Sequence, residues 1–277
     1  MIQINNLTFS YSKNNVLRDL SLSLTKGNVY GLLGQNGVGK TTLLKLLAGL
    51  QKSTKEACLV NGFHPYARQP EFLQDVFYLP EEPENPLGTV NQFVRNNGPF
   101  YRGFDYEQFC TIMERFEVDP RKKFRDLSAG QQKKAHVSYA LALNTKILLL
   151  DEPSNGMDIT SKSVFRSTVA GHISEEQLVI ISTHQVRDLE NLIDPVIILD
   201  QKQVLLHASI EEITQKLCFI TASQEPEGVL YSEQTPLGYS LVKANTTGAD
   251  TKVNLETLFN AALKQREWFK EHFKNGK

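Results

Sequence analysis

Apolar positions along the chain fall into two kinds of run. Short, near-continuous stretches at 2–9, 20–24, 29–33, 76–79, 147–150, 178–182, 196–199 and 204–207 read as β-strands. Several lack polar alternation, as strands covered on both faces do. Between them the spacing turns helical. Leu43, Leu44, Leu46 and Leu47 follow Gly39 and lead to Gly49, a C-terminal stop, while Phe109, Ile112, Met113 and Phe116 repeat at the offsets of a buried helical stripe. Strands interleaved with helices predict an α/β fold around a parallel or mixed sheet.

Two regions depart from that alternation. Residues from about 89 to 143 have little strand character and predict a mainly helical insertion, opened by a capping box of Thr89 and Gln92. Past Cys218 comes a polar stretch, 221–226, then short strand-like pieces, then a helix from Asn254 with Leu255, Leu258, Phe259 and Ala262 on one face. This predicts a core over 1–217, its helical part at about 89–143, and a small C-terminal extension over 218–277. No internal repeat or low-complexity tract is present.

Composition narrows the classes. A chain of 277 residues suits one large α/β domain with a modest appendage and is too short for two complete nucleotide folds. Thirty lysines and arginines against 31 aspartates and glutamates give a formal net charge of −1, so no global positive field draws it onto nucleic acid, and none is expected as a partner. Cys58, Cys110 and Cys218 are scattered, which argues against a disulfide framework or a cysteine zinc site and fits a reducing compartment. No basic-then-apolar leader opens the chain, and no stretch approaches the roughly 18 apolar residues of a membrane helix. The chain is not expected to cross a bilayer by itself.

Candidate chemistry begins at Gly34-Gln35-Asn36-Gly37-Val38-Gly39-Lys40-Thr41, a G-x-x-x-x-G-K-[ST] pattern between a strand and a helix. Its glycines free successive N–H groups, with the helix N-terminus, to face phosphate oxygens. Gly34, Asn36, Gly37, Gly39, Lys40, Thr41 and Thr42 are the expected nucleotide contacts, with Lys40 at the β- and γ-phosphates and the Thr41 hydroxyl on Mg²⁺. The apolar strand Ile147-Leu148-Leu149-Leu150 ends in Asp151 and Glu152. Beside a phosphate loop, Asp151 would join the Mg²⁺ shell and Glu152 would polarise the attacking water. His184, after another strand, is placed to hydrogen-bond the γ-phosphate.

One further motif separates the families that share those parts. Leu127-Ser128-Ala129-Gly130-Gln131-Gln132 resembles the signature of the ATP-binding cassette (ABC) ATPases, with Ala129 where Gly is common, and the likeness runs in motif order through roughly the first 215 residues. Read physically, Ser128 and the N–H groups from Gly130 onward form a second anion site at a helix N-terminus. The resemblance implies an α/β P-loop NTPase cassette with a mixed sheet core, a helical subdomain and a small C-terminal extension, using ATP and Mg²⁺. It further implies that Tyr11 lies against adenine, that Ser128, Gly130 and Gln131 grip a nucleotide held by another cassette, and that Asp158 connects the two sites of a dimer. Where the family usually has a metal-touching Gln, Tyr78-Leu79-Pro80-Glu81-Glu82 offers Glu81, with Glu82 as the alternative. The implied role is the ATP-hydrolysing motor of a transporter, pairing with a like or unlike cassette and with a separate permease on the inner face of the cell membrane. A soluble, non-transport ATPase and a weakly hydrolysing regulatory cassette are the alternatives.

Overall fold

In a computed structural model, residues 1–53, 57–224 and 228–273 are described. Of the polar stretch 221–226, Glu225 and Pro226 lie outside the described residues. The chain starts with two long antiparallel strands, β1 (Ile2–Tyr11) and β2 (Asn14–Leu24), and then enters the central sheet with β3 (Asn28–Leu33), which leads into α1 (Lys40–Leu47). A short β4 (Cys58–Val60) pairs with β1, and α2 (Pro70–Asp75) feeds β5 (Val76–Leu79). Helices and turns then occupy the chain up to β6 (Ile147–Asp151): α3 (Val90–Asn97), α4 (Tyr106–Arg115) and α5 (Ala129–Ala142). The capping box read at Thr89 and Gln92 closes the start of α3. After α6 (Ile159–His172) come β7 (Leu178–Thr183), β8 (Val196–Asp200) and β9 (Gln203–Ala208).

Six of these strands form the central sheet in the order β5-β6-β7-β3-β8-β9. The first five run parallel and β9 returns antiparallel, which makes the sheet mixed. Neighbouring residues of one strand point to opposite faces. Leu149, Ile180 and Leu32 pack with Leu43, Leu44 and Leu47 of α1 and with Leu7 and Leu20 of the β1–β2 hairpin. Leu148, Leu150, Val179 and Ile181 instead pack with Phe165 and Val169 of α6 and with the residues of α4 and α5. Both faces are therefore covered, and this is why the strands read as unbroken apolar runs.

The C-terminal part continues with α7 (Ile210–Lys216), β10 (Leu217–Ala222), β11 (Tyr231–Thr235), β12 (Gly238–Ala244), α8 (Leu255–Lys264) and α9 (Arg266–His272). Its three strands make a separate antiparallel sheet, β10-β12-β11. The apolar face of α8, including Leu255, Leu258 and Ala262, joins the same core as Val186 and Leu189, which lie in the 3-10 turn Val186–Leu189 just past β7. Two ion pairs fasten the edges: Arg187 donates to Glu256 and Arg266 to Asp200.

Leu258 is fully buried in that seam. Leu258→Ala is expected to cost about 2–5 kcal/mol and to lower the midpoint of thermal unfolding by at least about 4 °C. A midpoint equal to that of the unsubstituted chain would show that α8 does not carry core packing.

Candidate active site

The loop from β3 to α1 presents backbone rather than side chains. Gly37 and Gly39 have φ of 79° and 113°, values that a residue with a Cβ rarely adopts. Gly39 is the N-cap of α1, which has no side-chain cap and no acidic residue in its first turn, so its leading N–H groups remain free for an anion. Lys40 is 6% exposed. Its Nζ donates to the Gly34 carbonyl at 2.7 Å and the Gln35 carbonyl at 3.4 Å, and lies 3.6 Å from Glu152 Oε1. Burial holds the ammonium below the ordinary lysine pKa, with the Glu152 charge opposing that shift. Gln35, Asn36, Gly37, Thr41, Thr42 and Glu152 line the cleft around it, about 250 Å³ in volume, together with Glu81.

Strand register brings the carboxylates to the same place. Asp151 pairs with Ser182 across β6 and β7, and Leu33 pairs with Thr183 across β3 and β7, so the phosphate loop, Asp151–Glu152 and His184 leave the sheet at one end. The Ser182 hydroxyl serves both acidic residues: it donates to Asp151 Oδ1 at 2.5 Å and accepts the Glu152 N–H at 3.2 Å. The Tyr78 hydroxyl donates to Asp151 Oδ2 at 3.1 Å. Burial, and then the Asp151 charge, push the Tyr78 phenol far above its usual range, so it remains a donor. Glu152 has φ of 45°, a left-handed backbone that costs about 1 kcal/mol or more in a residue with a side chain. In that pose its Oε1 meets His184 Nδ1 at 2.8 Å as well as Lys40.

Oxygen groups for a hard cation are few here. Thr41, with an exposed hydroxyl, and Glu81 line the phosphate cleft, while Asp151, next to Glu152, is 1% exposed with both oxygens accepting hydrogen bonds, and no group of three or more His, Cys, Asp or Glu placed for a metal occurs among the described residues. Few protein oxygens, with phosphates and water completing the shell, is the habit of Mg²⁺.

The N-terminus of α5 lies apart. Ser128 caps α5 in a reciprocal capping box, its Oγ accepting the Gln131 N–H at 3.3 Å and Gln131 Oε1 accepting the Ser128 N–H at 3.1 Å. Ala129, Gly130 and Lys133 line a cleft of about 380 Å³ with Asn155, Gly156, Glu81 and Glu82. The two clefts share only Glu81 among their lining residues. Glu81 is held twice, its Oε1 by Asn155 Nδ2 at 2.8 Å and its carbonyl by the Lys133 ammonium. Glu82 reaches the second cleft alone. Asp158 caps α6, where hydrogen bonds from the Ser161 hydroxyl and N–H bring its pKa down to about 2. Tyr11 is 42% exposed and edge-on to Phe9 at 4.9 Å, and it is not among the residues lining the phosphate cleft.

Residues 17–155 match the profile of the family described as ABC transporter. The chain belongs to that family. Among its relatives are the ABC transporter ATP-binding protein YtrB of Bacillus subtilis, 29% identical over 78% of this chain and 74% of YtrB, and the uncharacterized ABC transporter ATP-binding protein MJ1023 of Methanocaldococcus jannaschii, 30% identical over 79% and 81%. A solved ATP-binding subunit of an ABC transporter shares the fold with a TM-score of 0.69 at 22% identity, covering 77% of this chain and 91% of that one. Family membership implies ATP binding and ATPase activity.

Three contributors to this ABC site escape a reading of the motifs. Ser182 and Tyr78 sit in apolar strands and look like core, and Lys133 looks like helix surface yet is 7% exposed. The helix around Lys133 also holds His136, 4% exposed and stacked on Phe124 with centroids 4.9 Å apart. Its Nε2 is made a donor by a chain of amides. Gln132 Nε2 donates to the Phe124 and Leu127 carbonyls, Gln132 Oε1 accepts from Asn85 Nδ2, and Asn85 Oδ1 is left to accept from His136 Nε2 at 3.1 Å. The network ties the loop after Glu81 to the signature helix.

Burial first, and then the nearby Lys133 charge, lower the His136 pKa from 6.5 to about 4. The unfolded chain therefore binds this proton more readily between those values, and the stability due to the neutral ring, complete above pH 6.5, is lost as pH falls towards 4. Relative to His136→Gln, whose side chain keeps a donor but does not titrate, the parent is expected to lose on the order of 3 kcal/mol between pH 7 and pH 4. Denaturant titrations of both proteins across that range measure it. Parallel pH profiles would remove His136 from the balance.

Proposed function

We propose that this chain is the ATP-hydrolysing subunit of an ABC transporter, and that two cassettes close head to tail around two Mg·ATP to drive a separate membrane permease. One observation carries the pairing: the phosphate loop and the α5 N-terminus line different clefts, which meet only at Glu81. Each chain thus offers two half-sites. In this reading the N–H groups from Gly34 to Gly39, with Asn36, Lys40 and Thr42, bind the phosphates, and Tyr11 takes the adenine ring by stacking. Ser128, Gly130 and Gln131 of the opposite cassette grip the γ-phosphate from its other side, and Asp158 links the two sites. Their helix dipole favours the same negative charge.

For the chemistry, Thr41, Asp151 and Glu81 would hold Mg²⁺, which when bound would screen the charge of the transferring phosphate. Glu152 orients the attacking water and accepts its proton, and His184 hydrogen-bonds the γ-phosphate. Glu152 Oε1 is shared between His184 and Lys40. A triphosphate entering the cleft competes for the Lys40 ammonium and so frees the Glu152 carboxylate for water. Cleavage then removes the phosphate that bridged the two chains, and the interface opens.

A groove of about 660 Å³ supports the permease contact. It runs between β5 and the α3–α5 region, is lined by Phe77, Tyr78, Phe93 and Tyr101, and has Leu50 and Phe100 on it at 45% and 71% exposure. An apolar helix of a membrane partner is the occupant we assign, because the exposed Leu50 and Phe100 and the aromatic lining offer it an apolar face. Transport is also the role of a relative, the lantibiotic transport ATP-binding protein SrtF of Streptococcus pyogenes. The chain would then sit on the cytoplasmic face of the cell membrane through that permease. We divide it accordingly into a cassette over 1–217, with its helical subdomain at about 89–143, and an extension over 218–277.

Two variants test the pairing. Glu152→Gln is expected to keep ATP binding, to lose about 10²–10⁴-fold in turnover, and to accumulate as an ATP-dependent dimer in light scattering. A monomeric variant that hydrolyses freely refutes its role. Adding Ser128→Arg to that background is expected to abolish the dimer while the monomer's ATP affinity stays at the parent value. Normal ATP-dependent dimerisation of the double variant would eliminate the split site.

A further inference from the structure

Past Glu152 and His184 the two segments that carry this contact have left the sheet, and strand register no longer holds them. Residues 153–158 run on to α6, and residues 185–190 make the turn beyond β7. Among the described residues one hydrogen bond joins these two segments directly: the buried Ser154 donates its hydroxyl to Asp188 Oδ2 at 3.3 Å. The same oxygen meets the Lys162 ammonium of α6 at 2.6 Å, and both side chains of that pair are largely buried. Lys162 Nζ also donates to Gln185 Oε1 at 3.1 Å, while Arg166 donates to the Asp188 carbonyl at 3.3 Å. Arg187, the cation next to Asp188 in sequence, is taken by Glu256 instead.

The ends of this cluster lie beside the reacting groups. Gln185 directly follows His184, and Ser154 lies inside the turn closed by the Asn155 N–H on the Glu152 carbonyl at 3.2 Å. That turn begins with the left-handed backbone of Glu152. We propose that Asp188, paired with Lys162, is a positioning residue for hydrolysis: it braces the Glu152 turn against the His184 turn and so holds His184 Nδ1 at 2.8 Å from Glu152 Oε1. This rests on the reading of Glu152 and His184 as the groups that act on water and the γ-phosphate. Neither Asp188 nor Lys162 lines the phosphate cleft, so loss of the pair acts on the contact and not on nucleotide binding. A misplacement on the order of 1 Å at reacting groups costs about 100-fold in rate.

Asp188→Ala removes the brace but leaves the Lys162 ammonium without its partner. The double variant Lys162→Met with Asp188→Ala removes both charges together and spares the fold that burden. The experiment uses the full chain and reads three quantities in each variant: ATP turnover, the affinity for fluorescent mant-ATP, and the nitrogen-15 shifts of the His184 ring. His184→Gln assigns the ring signals, and Glu152→Ala supplies the shifts of a ring that has lost the carboxylate. In both brace variants we expect kcat to fall roughly 10-fold or more, mant-ATP affinity to stay at the parent value, and the ring shifts to move to those of Glu152→Ala. Parent-like ring shifts in the double variant overturn the inference, and so does a kcat equal to the parent's. A parent that hydrolyses no ATP defeats the functional reading instead, and the ring shifts then still decide whether Asp188 holds the contact.

Discussion

An ammonium at 6% exposure must be neutralised where it stands, and the geometry of the catalytic end follows from that requirement at Lys40. The loop's own carbonyls at Gly34 and Gln35 supply part of the compensation, and the Glu152 carboxylate supplies the charge. To reach it, Glu152 leaves β6 with a left-handed backbone, held by its N–H on Ser182. That strained turn is in effect maintained by the register of β6 against β7. A one-residue slip between these strands would flip Ser182 to the other face and remove both of its hydrogen bonds. The site's chemistry is thus written into strand pairing before any nucleotide arrives.

A second buried ammonium does comparable work at the other cleft. Lys133 fixes the Glu81 carbonyl, Asn155 fixes its carboxylate, and the Gln132–Asn85–His136 chain fastens the loop that follows. Lys134, next along α5, lies 3.5 Å from Asp158 at the start of α6. Consecutive lysines therefore bind the signature helix to two different loops. Rigidity of this kind keeps the Ser128 end of α5 aimed outward, with its hydroxyl already committed to the capping box. A helix terminus that is preorganised in this way loses little entropy when an anion approaches it.

Sequence patterning anticipated the central sheet well because its strands are sandwiched between layers and so appear as unbroken apolar blocks. Where one side of a strand faces water the signal thinned: β2 begins at Asn14, well ahead of the apolar run at 20–24, since its first residues form an exposed hairpin arm. β4, three residues long, is too short to display any period. At the site, the glycine-rich loop, the Asp151–Glu152 pair and His184 were legible because backbone freedom and strand-end chemistry restrict residue choice. Lys133 was not, because its burial depends on the Glu81 segment folding over it from 52 residues away. Tyr78 and Ser182 were hidden for the opposite reason. Each occupies a strand position where any moderately apolar residue would satisfy the pattern, and only the third dimension reveals the hydroxyl contact with Asp151.

The α8 seam has a practical bearing on anyone dissecting the molecule. Because Leu255, Leu258 and Ala262 shield Val186 and Leu189, a shortened chain ending at Lys216 would carry an open greasy strip two residues downstream of His184. Such a fragment invites self-association and a loosened histidine loop, so its behaviour in solution would misrepresent the parent. The tail is masonry, and trimming it unroofs the wall that holds the histidine.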